Sequence, residues 1–380
     1  MNSSDPAEVP AFANCHSHVF HRALRGRVTG AGSFWAWRRQ MYDLAAVLDP
    51  DLLFELAAAT YAEMHLAGIR AVGEFHYLHH GPDGRPYADP NAMSEALIAA
   101  AREARVRLAL LDTCYLASGF GEPPQGVQVR FSDGDAERWA TRVESLAARC
   151  AGSTDIVVGA AIHSVRAVPG DQLKIVAEAF PQAPLHVHVS EQPAENEACL
   201  AATGRTPVQL LDEAGAWTDR TTAVHATHLT GRDIETLGNA RSFVCFCPTT
   251  EAELADGIGP SVVLREAGAR LTLGSDSNTV IDPFAEARGV EMHERLRSGM
   301  RGAWSSEQLW RAATTDGHVS LGFDDPDPIR LDASVRTAGV QEPLWAATAA
   351  DVLPDPGAGH DPGEVAARLA RAIDTCWERA

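Results

Sequence analysis

Lysine is nearly absent from this sequence, since Lys174 is the only lysine among 32 basic residues. Lys174 falls within a predicted helix. No lysine therefore stands at the end of a predicted strand, where it could be carboxylated and bridge two metal ions. A metal centre in this chain is expected to hold one ion and not two.

Cysteine pairs and long apolar runs are missing as well. None of the 7 cysteines belongs to a Cys-x-x-Cys pair, and the closest spacing is Cys245-Phe246-Cys247. A reducing cytoplasm is therefore the expected location. No apolar run approaches the roughly 20 residues that span a membrane. Residues 1–10 also lack the charged-then-apolar pattern of a secretory signal.

Positive charge is scarce relative to negative charge, and the net charge is −19. This charge argues against nucleic acid or an anionic membrane as a partner. A small anionic substrate stays possible, because an arginine cluster can reverse the field within one pocket. The 380 residues, 45% hydrophobic and 22% charged, are typical of a soluble globular protein with one large domain or two ordinary ones.

Short apolar runs alternate with amphipathic, alanine-rich stretches along most of the chain. The runs are predicted as strands at 11–18, 69–77, 106–116, 155–165, 184–191, 222–229, 242–248 and 270–277. The stretches are predicted as helices near 51–67, 92–104, 135–151, 171–180, 193–214, 230–240, 260–268 and 282–297. Near-continuous apolar strands separated by helices indicate a parallel sheet that is buried on both faces. Eight such units favour an α/β fold of the (β/α)8 TIM-barrel type over an open doubly wound sheet.

The expected domain organisation follows from this alternation. Residues 1–10 are predicted to be a polar tail, 11–320 the barrel, and 321–380 a C-terminal extension. The extension begins with a turn-rich acidic linker at 324–328. It ends with an amphipathic segment, 363–377, that is predicted to be a closing helix.

Polar residues gather where the predicted strands end. His16 and His18 end the first strand and, because side chains alternate along a strand, project from one face. In a (β/α)8 barrel the chemistry lies at this end of the strands. Five of the other predicted strands end in polar residues: Glu74, His76 and Tyr77; His163 and Arg166; His186, His188 and Glu191; His225 and His228; and Asp276.

His16, His18, His188 and Asp276 together provide three nitrogens and one oxygen, a donor set suited to a catalytic zinc. Zinc lowers the pKa of a bound water toward neutrality, so that hydroxide can attack an unsaturated carbon. Asp276 is expected to accept the proton of that water while contacting the metal. Iron and manganese accept the same ligands, so the sequence leaves the metal open.

Two further residues are expected to act in catalysis together with Asp276. Glu191 follows His188 by three positions and can pass a proton to a nitrogen leaving group. His225 is expected either to polarise the attacked centre or to hold the hydroxide.

Each of these residues has a plainer interpretation. His186 projects from the same face as His188, so either can be the metal ligand. His188 is favoured because Glu191 follows it by three positions, which places the ligand and the proposed acid together. His186 is then expected to be a core residue. Asp276 can also simply cap the helix that follows the last strand. Three more histidines are expected to be loop residues or supports around the ligands: His76, His79 and His80.

The chain resembles the amidohydrolase superfamily and, within it, the N-formimino-L-glutamate deiminases of histidine degradation. The resemblance rests on motifs that occur in order along residues 11–320. These motifs are NCHSHVFHRALRG (14–26), FWAWRRQMY (34–42), GEFHYLHH (73–80), the His163 and Arg166 pair, HVSEQ (188–192), VHATHL (224–229) and GSDS (274–277).

Carried over by position, the resemblance implies roles for individual residues. The implied zinc ligands are His16, His18, His188 and Asp276, the implied catalytic residues include Glu191 and His225, and the implied substrate contacts are His21, Arg38, Tyr77, His163 and Arg166. Formiminoglutamate carries two carboxylates, and a guanidinium binds a carboxylate bidentately, so Arg38 and Arg166 are the candidates to hold them. The implied reaction is attack of zinc-bound hydroxide on the formimino carbon, which yields N-formyl-glutamate and ammonia.

The chain departs from this family outside the barrel. Members usually carry a small β-sandwich that is built from segments before and after the barrel. Only residues 1–10 precede the first predicted strand here, and residues 335–339 are the one segment that resembles the C-terminal part. The barrel surface left uncovered is expected to be hidden by a homodimer interface or by the closing helix.

Other functions stay open beside the formiminoglutamate deiminase. A related enzyme could act on another carboxylate-bearing formimino or amidine compound. A nucleobase-type deaminase shares the metal and acid residues, although a neutral base offers no partner to Arg38 and Arg166. The third possibility is a barrel that has lost turnover and serves as a binding protein, which the intact set of ligands and acids argues against.

Overall fold

The structure, a computed structural model, describes residues 6–27, 34–324, 326–332 and 340–380. Within these ranges the strands in chain order are β1 (Ala7–Pro10), β2 (Phe12–Ser17), β3 (Ile69–His76), β4 (Arg107–Cys114), β5 (Ile156–Ile162), β6 (Leu185–Val189), β7 (Thr221–His225), β8 (Phe243–Phe246), β9 (Arg270–Leu273) and β10 (Pro328–Leu331).

The described helices surround these strands. They are α1 (Phe34–Val47), α2 (Pro50–Leu66), α3 (Ala92–Ala104), α4 (Ala136–Cys150), α5 (Gly170–Ala179), α6 (Pro193–Thr203), α7 (Pro207–Glu213), α8 (Gly231–Asn239), α9 (Pro248–Leu254), α10 (Ser261–Ala267), α11 (Pro283–Ser298), α12 (Ser306–Ala313), α13 (Thr315–Ser320) and α14 (Pro362–Arg379). Two 3₁₀ segments, Val19–Leu24 and Gly126–Phe131, lie beside the strand ends.

The strands β2 to β9 form one parallel sheet in which each strand pairs with the next along the chain. The sheet closes on itself where β9 returns to β2, because the His18 amide donates to the Asp276 carbonyl (2.9 Å) and the Asp276 amide to the His16 carbonyl (2.9 Å). Gly274 permits this approach, since a Cβ at that position would lie only 2.7 Å from the Cβ of His16. The predicted (β/α)8 TIM-type barrel is confirmed.

The barrel strands are apolar on both faces because, as the sequence indicated, both faces of the sheet are buried. In β4, Leu108, Leu110 and Leu111 are all fully buried, although neighbouring residues of a strand point to opposite faces. One face packs inside the barrel and the other packs under the helices. A side chain at the end of a strand escapes this packing, which is why polar residues collect there.

Element boundaries differ from the predictions in a consistent way. The eight predicted strands are all present, but β7 ends at His225 rather than at 229, and β9 ends at Leu273 rather than at 277. Their polar last residues lie in loops above the barrel. The single helix predicted over 193–214 is two helices, because Gly204 adopts a left-handed φ of 69° that ends α6, and Pro207 then begins α7. Helices α1, α9, α12 and α13 were not predicted.

The expected polar tail is partly a strand. Residues 7–10 form β1, which pairs antiparallel with β10 and places Val9 opposite Ile329 and Ala7 opposite Leu331. Ile329 and Leu331 are buried. Ile329 also packs closely against Gly68 at the start of β3. This small sheet therefore covers the N-terminal end of the barrel, away from the strand ends that carry the chemistry. The segment 335–339 lies outside the described residues.

The closing helix predicted over 363–377 is observed as α14. It packs along α2, where Arg368 forms a salt bridge with Glu55 (2.9 Å), and the Trp377 indole donates to the carbonyl of Ala23 (2.8 Å). Among the described residues no helix is both long and apolar enough to cross a membrane.

Candidate active site

Four side chains that the sequence predicts as metal ligands meet at the C-terminal mouth of the barrel. The Nε2 atom of His188 lies 3.0 Å from that of His16 and 3.3 Å from that of His18. Oδ1 of Asp276 lies 3.4 Å from Nε2 of both His16 and His18. All four side chains are buried. Strands β2, β6 and β9 deliver them, so the cluster depends on closure of the barrel.

The hydrogen bonds of two of these histidines test whether the cluster fits a metal ion. A ring nitrogen that faces a carbonyl oxygen must carry the proton, so Nδ1 of His18 donates to Phe75 (2.9 Å) and Nδ1 of His188 donates to His163 (3.0 Å). Both Nε2 atoms are then unprotonated, although they face each other. Two lone pairs at that distance repel, and a cation between them removes the repulsion. The donor set therefore fits one divalent ion.

The charges of the cluster agree with that fit. Burial lowers the pKa of His16, His18 and His188, which keeps the imidazoles neutral, the form that binds metal. Burial alone would raise the pKa of Asp276. The hydrogen bond from His16 and the charge of His225 nevertheless bring it below its ordinary value. Asp276 therefore enters the cluster as a carboxylate.

His225 lies at the edge of this cluster, between three carboxylates. Its Nδ1 is 3.3 Å from Glu251, and its Nε2 is 3.9 Å from both Glu191 and Asp276. Burial would lower the pKa of His225, but the charge of Glu191 and the hydrogen bond to Glu251 raise it well above its ordinary value. Its φ of 67° is left-handed, a strained conformation for a non-glycine residue that is typical of functional positions.

Glu251 was not predicted from the sequence. It lies in the first turn of α9, where it also accepts a hydrogen bond from the Cys247 amide (2.8 Å). A glutamate at the start of a helix is common, so nothing in its spacing distinguishes it. The structure alone brings it to His225.

Glu191 lies just beyond the end of β6 and lines the cavity above the cluster. Its amide donates to the carboxylate of Glu195 (3.3 Å), which fixes the loop. Burial raises the pKa of the Glu191 carboxyl, which favours the protonated form that a general acid needs.

The residues predicted to contact substrate line that same cavity. His21 and Tyr77 are joined by a hydrogen bond between Nε2 and the phenol oxygen (2.9 Å), and Nε of Arg38 donates to Tyr42 (2.6 Å). Arg166 is partly buried. Among the described residues no hydrogen bond or salt bridge occupies its guanidinium. The cavity lining includes these predicted residues, His21, Arg38, Tyr77, His163 and Arg166, and others that the sequence did not single out, among them Trp37, Met41, Tyr42, Tyr115, Phe131 and Leu254.

The plainer interpretations of two residues can now be compared with the structure. The helix after β9 is α11, and its first turn is capped by Asp282, which accepts from the amides of Phe284 (3.0 Å) and Ala285 (3.1 Å). Asp276 does not cap that helix. His186 is fully buried inside the barrel, and its ring nitrogens have no hydrogen-bond partner among the described residues.

The remaining histidines of the strand ends belong to other contacts. Nε2 of His79 donates to the carbonyl of Thr113 in β4 (2.9 Å). His80 lies 3.1 Å from Asp133. Both adjoin a buried ion network of Asp112, Asp133 and Arg142, here called the Arg142 network.

Glu74, at the end of β3, supports the segment that carries the ligands at the end of β2. Its carboxylate accepts hydrogen bonds from the Ser17 hydroxyl (2.8 Å) and from the Val19 amide (2.7 Å).

Comparison with known proteins gives consistent matches over most of the chain. Residues 9–326 match the model of the amidohydrolase family. The formimidoylglutamate deiminase of Pseudomonas aeruginosa is 37% identical over 331 residues, which are 83% of this chain and 72% of that protein. The 5-methylthioadenosine/S-adenosylhomocysteine deaminase of Pelotomaculum thermopropionicum is 28% identical over 324 residues, 83% of this chain and 68% of that protein. The crystal structure of an amidohydrolase from Brucella melitensis has a TM-score of 0.90 at 31% identity, covering 97% of this chain and 90% of that one.

Proposed function

The chain belongs to the amidohydrolase family, and we propose that it is a deiminase that hydrolyses N-formimino-L-glutamate to N-formyl-L-glutamate and ammonia. The observation that carries this proposal is one cavity that joins a histidine and aspartate cluster to two arginines, Arg38 and Arg166. The 37% identity to a formimidoylglutamate deiminase supports the same substrate. The reaction class is hydrolysis of a carbon–nitrogen bond in a linear amidine.

Amidohydrolases are metal-dependent enzymes, and in this chain His16, His18, His188 and Asp276 would hold the ion. Zinc suits this mixture of nitrogen and oxygen donors, as do iron and manganese. The bound ion would supply Lewis acidity, which activates water and polarises the group under attack.

The substrate would be held by its carboxylates. Arg38 and Arg166 provide guanidinium groups, each of which can bind a carboxylate through two parallel hydrogen bonds. Tyr77, His21 and His163 complete the polar wall around the formimino group. Because the arginines and the ligand cluster line one cavity, the substrate would extend from one to the other.

Three side chains would move protons during the reaction. Water adds to the formimino carbon, the bond from that carbon to the terminal nitrogen breaks, and both protons of the water end on that nitrogen, which leaves as ammonia. Asp276, which is ionised, would accept these protons from the oxygen one at a time. Glu191, whose pKa is raised by burial, would give a proton to the departing nitrogen. His225, held by Glu251, would donate a hydrogen bond to the oxygen that gains negative charge.

The cellular setting is part of this proposal. Formiminoglutamate hydrolysis would place the protein in histidine degradation, in the cytoplasm, where its seven free cysteines would stay reduced. We propose a homodimer, which sedimentation velocity would detect as twice the chain mass of 40.6 kDa.

A nucleobase-type deaminase is the second candidate, favoured by the 28% identity to a deaminase of adenosine derivatives. Arg166 opposes it, because a neutral base offers its guanidinium no carboxylate to bind. A barrel without turnover is opposed by the complete set of ligands and acids. An enzyme acting on another carboxylate-bearing amidine would share every feature of the first proposal except the exact substrate.

Ammonia release from a panel of formimino, carbamoyl and purine compounds separates these candidates. Formiminoglutamate is expected to be the best substrate, and Arg166→Met is expected to lower kcat/KM by about 100-fold, as for loss of a charged hydrogen-bonded pair. Arg138→Met is the matched control, since Arg138 is an exposed arginine of α4. An unchanged kcat/KM for Arg166→Met would make the dicarboxylate assignment wrong.

A further inference from the structure

Gln128 lies behind the cavity wall and contacts two tyrosines whose rings line the cavity. Its Nε2 donates to the phenol oxygen of Tyr42 (2.9 Å) and to that of Tyr115 (2.8 Å). The Gln128 side chain is buried. It belongs to the 3₁₀ segment Gly126–Phe131, where its Oε1 accepts from the amide of Gln125 (2.9 Å).

That last contact determines how the Gln128 amide is oriented. A backbone amide can only donate, so the atom that faces the Gln125 amide must be the carbonyl oxygen of Gln128. The NH₂ group then faces the tyrosines, and its two hydrogens are both used. Tyr42 and Tyr115 must therefore accept at this point. Tyr42 also accepts from Nε of Arg38 (2.6 Å).

Each phenol still has its own proton to donate. Among the described residues neither hydroxyl donates a hydrogen bond to a carbonyl or carboxylate oxygen. Both phenol oxygens lie beside Nε2 of Gln128, and a hydrogen bond from one hydroxyl to the other would use only one of the two protons. At least one phenol proton is therefore left for a molecule in the cavity.

The charges around these hydroxyls select the kind of molecule. Arg38 and Arg166 line the cavity beside them, and both guanidinium groups act on Tyr115. Burial and then Tyr42 raise the pKa of Tyr115 despite these two charges, so its hydroxyl stays protonated. Glu191 and Asp276, which also line the cavity, lie 3.9 Å from His225 at the metal cluster. Arg166 acts on Glu191 as well as on Tyr115, whereas Arg38 bonds Tyr42 directly. The wall near Gln128 thus presents donors and positive charge.

We propose that Tyr42 and Tyr115, oriented by Gln128, form with Arg38 the subsite for the substrate carboxylate that is remote from the reacting carbon, which leaves Arg166 for the other carboxylate. Gln128 is a positioning residue, since it acts through the tyrosines and not on the substrate. This set makes the enzyme prefer a dicarboxylate over the corresponding monocarboxylate. The identity of the substrate rests on the proposed function, whereas the preference for a second carboxylate does not.

The test compares two substrates that differ only in that carboxylate. N-formimino-L-glutamate is measured beside N-formimino-L-2-aminobutyrate, in which hydrogen replaces the side-chain carboxylate. Tyr42→Phe and Tyr115→Phe each remove one oxygen, and the more affected of the two is expected to lose about 10- to 100-fold in kcat/KM on the dicarboxylate, mainly through KM. On the monocarboxylate each loss is expected to be below about twofold. Tyr87→Phe is the control, because the Tyr87 hydroxyl accepts from Arg130 outside the cavity.

Gln128→Met tests the positioning role. Alone it is expected to lower the preference for the dicarboxylate by about 10-fold, and in the Tyr42→Phe/Tyr115→Phe background it is expected to change that preference by less than about twofold. If Gln128 had only a structural role, Gln128→Met would instead lower kcat/KM on both substrates equally, with or without the tyrosine substitutions. Gln128→Glu serves if Gln128→Met does not fold, because a carboxylate still accepts from the Gln125 amide but turns the phenol protons toward itself. It too is expected to lose the preference.

A binding measurement keeps this proposal separate from the proposed function. The dissociation constants of glutarate and butyrate are measured by calorimetry on the metal-loaded protein, with and without Tyr115→Phe and Tyr42→Phe. If formiminoglutamate releases no ammonia but glutarate binding weakens in the variants and butyrate binding does not, the carboxylate subsite stands and the proposed function fails. If formiminoglutamate is hydrolysed and all the variants keep the wild-type preference, the subsite is wrong.

Discussion

Two buried clusters in this molecule combine histidine with aspartate, and they differ in what balances the negative charge. In the Arg142 network, the Arg142 guanidinium bonds Asp112 (2.8 Å) and Asp133 (2.9 Å) at once. At the barrel mouth, Asp276 contacts neutral histidines, and no arginine or lysine of the described chain forms a salt bridge with it. The first cluster pairs two carboxylates with a guanidinium. At the second, His225, with its raised pKa, faces three carboxylates, Asp276, Glu191 and Glu251, so negative charge is left over for a metal ion.

The comparison teaches that residue type alone does not identify a metal site. His79 and His80 also lie near aspartates, with Nε2 3.7 Å from Asp112 and 3.1 Å from Asp133, compared with 3.4 Å from Asp276 for His16 and His18. What separates the clusters is whether the protein itself neutralises the carboxylate. A saturated ion network holds loops in place, and an unsaturated donor set binds a ligand.

The largest expected effect comes from the unsaturated cluster. Asp276→Asn removes the carboxylate that contacts two histidines and is proposed to accept the proton of water. We expect kcat to fall by about 10³-fold or more, while the metal-free protein loses less free energy of unfolding than it does in Arg142→Met. Steady-state ammonia release and urea unfolding measure the two quantities. Wild-type kcat in this variant would remove Asp276 from the mechanism.

The opposite pattern is expected in the Arg142 network. Arg142→Met leaves Asp112 and Asp133 buried without their cation, which is expected to lower the free energy of unfolding by about 3–5 kcal/mol. The metal bound per folded chain is expected to stay the same. Arg138→Met, on the same helix but exposed, is the control. A loss of metal with no loss of stability would reverse the roles assigned to the two clusters.

The acid dependence of stability should also follow the Arg142 network. Burial alone would raise the pKa of Asp112, but the charge of Arg142 and then that of His79 lower it to about 2. Because aspartate in an unfolded chain titrates near about 3.9, the stability that Asp112 contributes is fully present above that value and is lost as the pH falls toward 2.

That contribution is about 2–3 kcal/mol. Urea unfolding of the metal-free protein at pH 5 and pH 2.5 should show the loss in the wild type and a smaller loss in Asp112→Asn. Equal losses in both proteins would mean that Asp112 is not held ionised by Arg142.

The smallest expected effect is that of a substitution at Asp282, a neighbour of Asp276 that caps a helix and does not contact the metal cluster. Asp282 caps α11 through two backbone amides, so Asp282→Ala is expected to cost about 1 kcal/mol of stability. Its kcat should stay within about twofold of the wild type. A loss of activity comparable to that of Asp276→Asn would show that the loop, and not the Asp276 carboxylate, carries the effect.

Local sequence patterns predicted the parts of this molecule that depend on short spacing. The alternation of side chains placed His16 and His18 on one face of a strand, and eight apolar runs separated by helices indicated the barrel. The predicted strands extend beyond the observed C-terminal ends, because the residues that follow a strand, such as His228 after β7, continue the alternating pattern into the loop. The sequence also could not distinguish one long helix from α6 and α7, since the break depends on the conformation of Gly204.

Apart from the metal cluster, whose members follow predicted strand ends, contacts between distant segments could not be predicted from one sequence. Glu251 and Gln128 occupy ordinary positions in short helical segments, and only folding brings them to His225 and to the tyrosines. The pairing of β1 with β10 joins strands that lie at opposite ends of the barrel sequence. The saturation of Asp112 by Arg142 likewise depends on packing, so the sequence could not show which histidines lie beside a neutralised carboxylate.

Metal stoichiometry tests the central claim most directly. Equilibrium dialysis against Zn²⁺, followed by elemental analysis, is expected to give one ion per chain in the wild type and in Arg142→Met, and less than about 0.1 in a His16→Ala/His188→Ala variant that remains folded by circular dichroism. One ion per chain in that double variant, or none in the wild type, would contradict the claim that the barrel mouth is the metal centre.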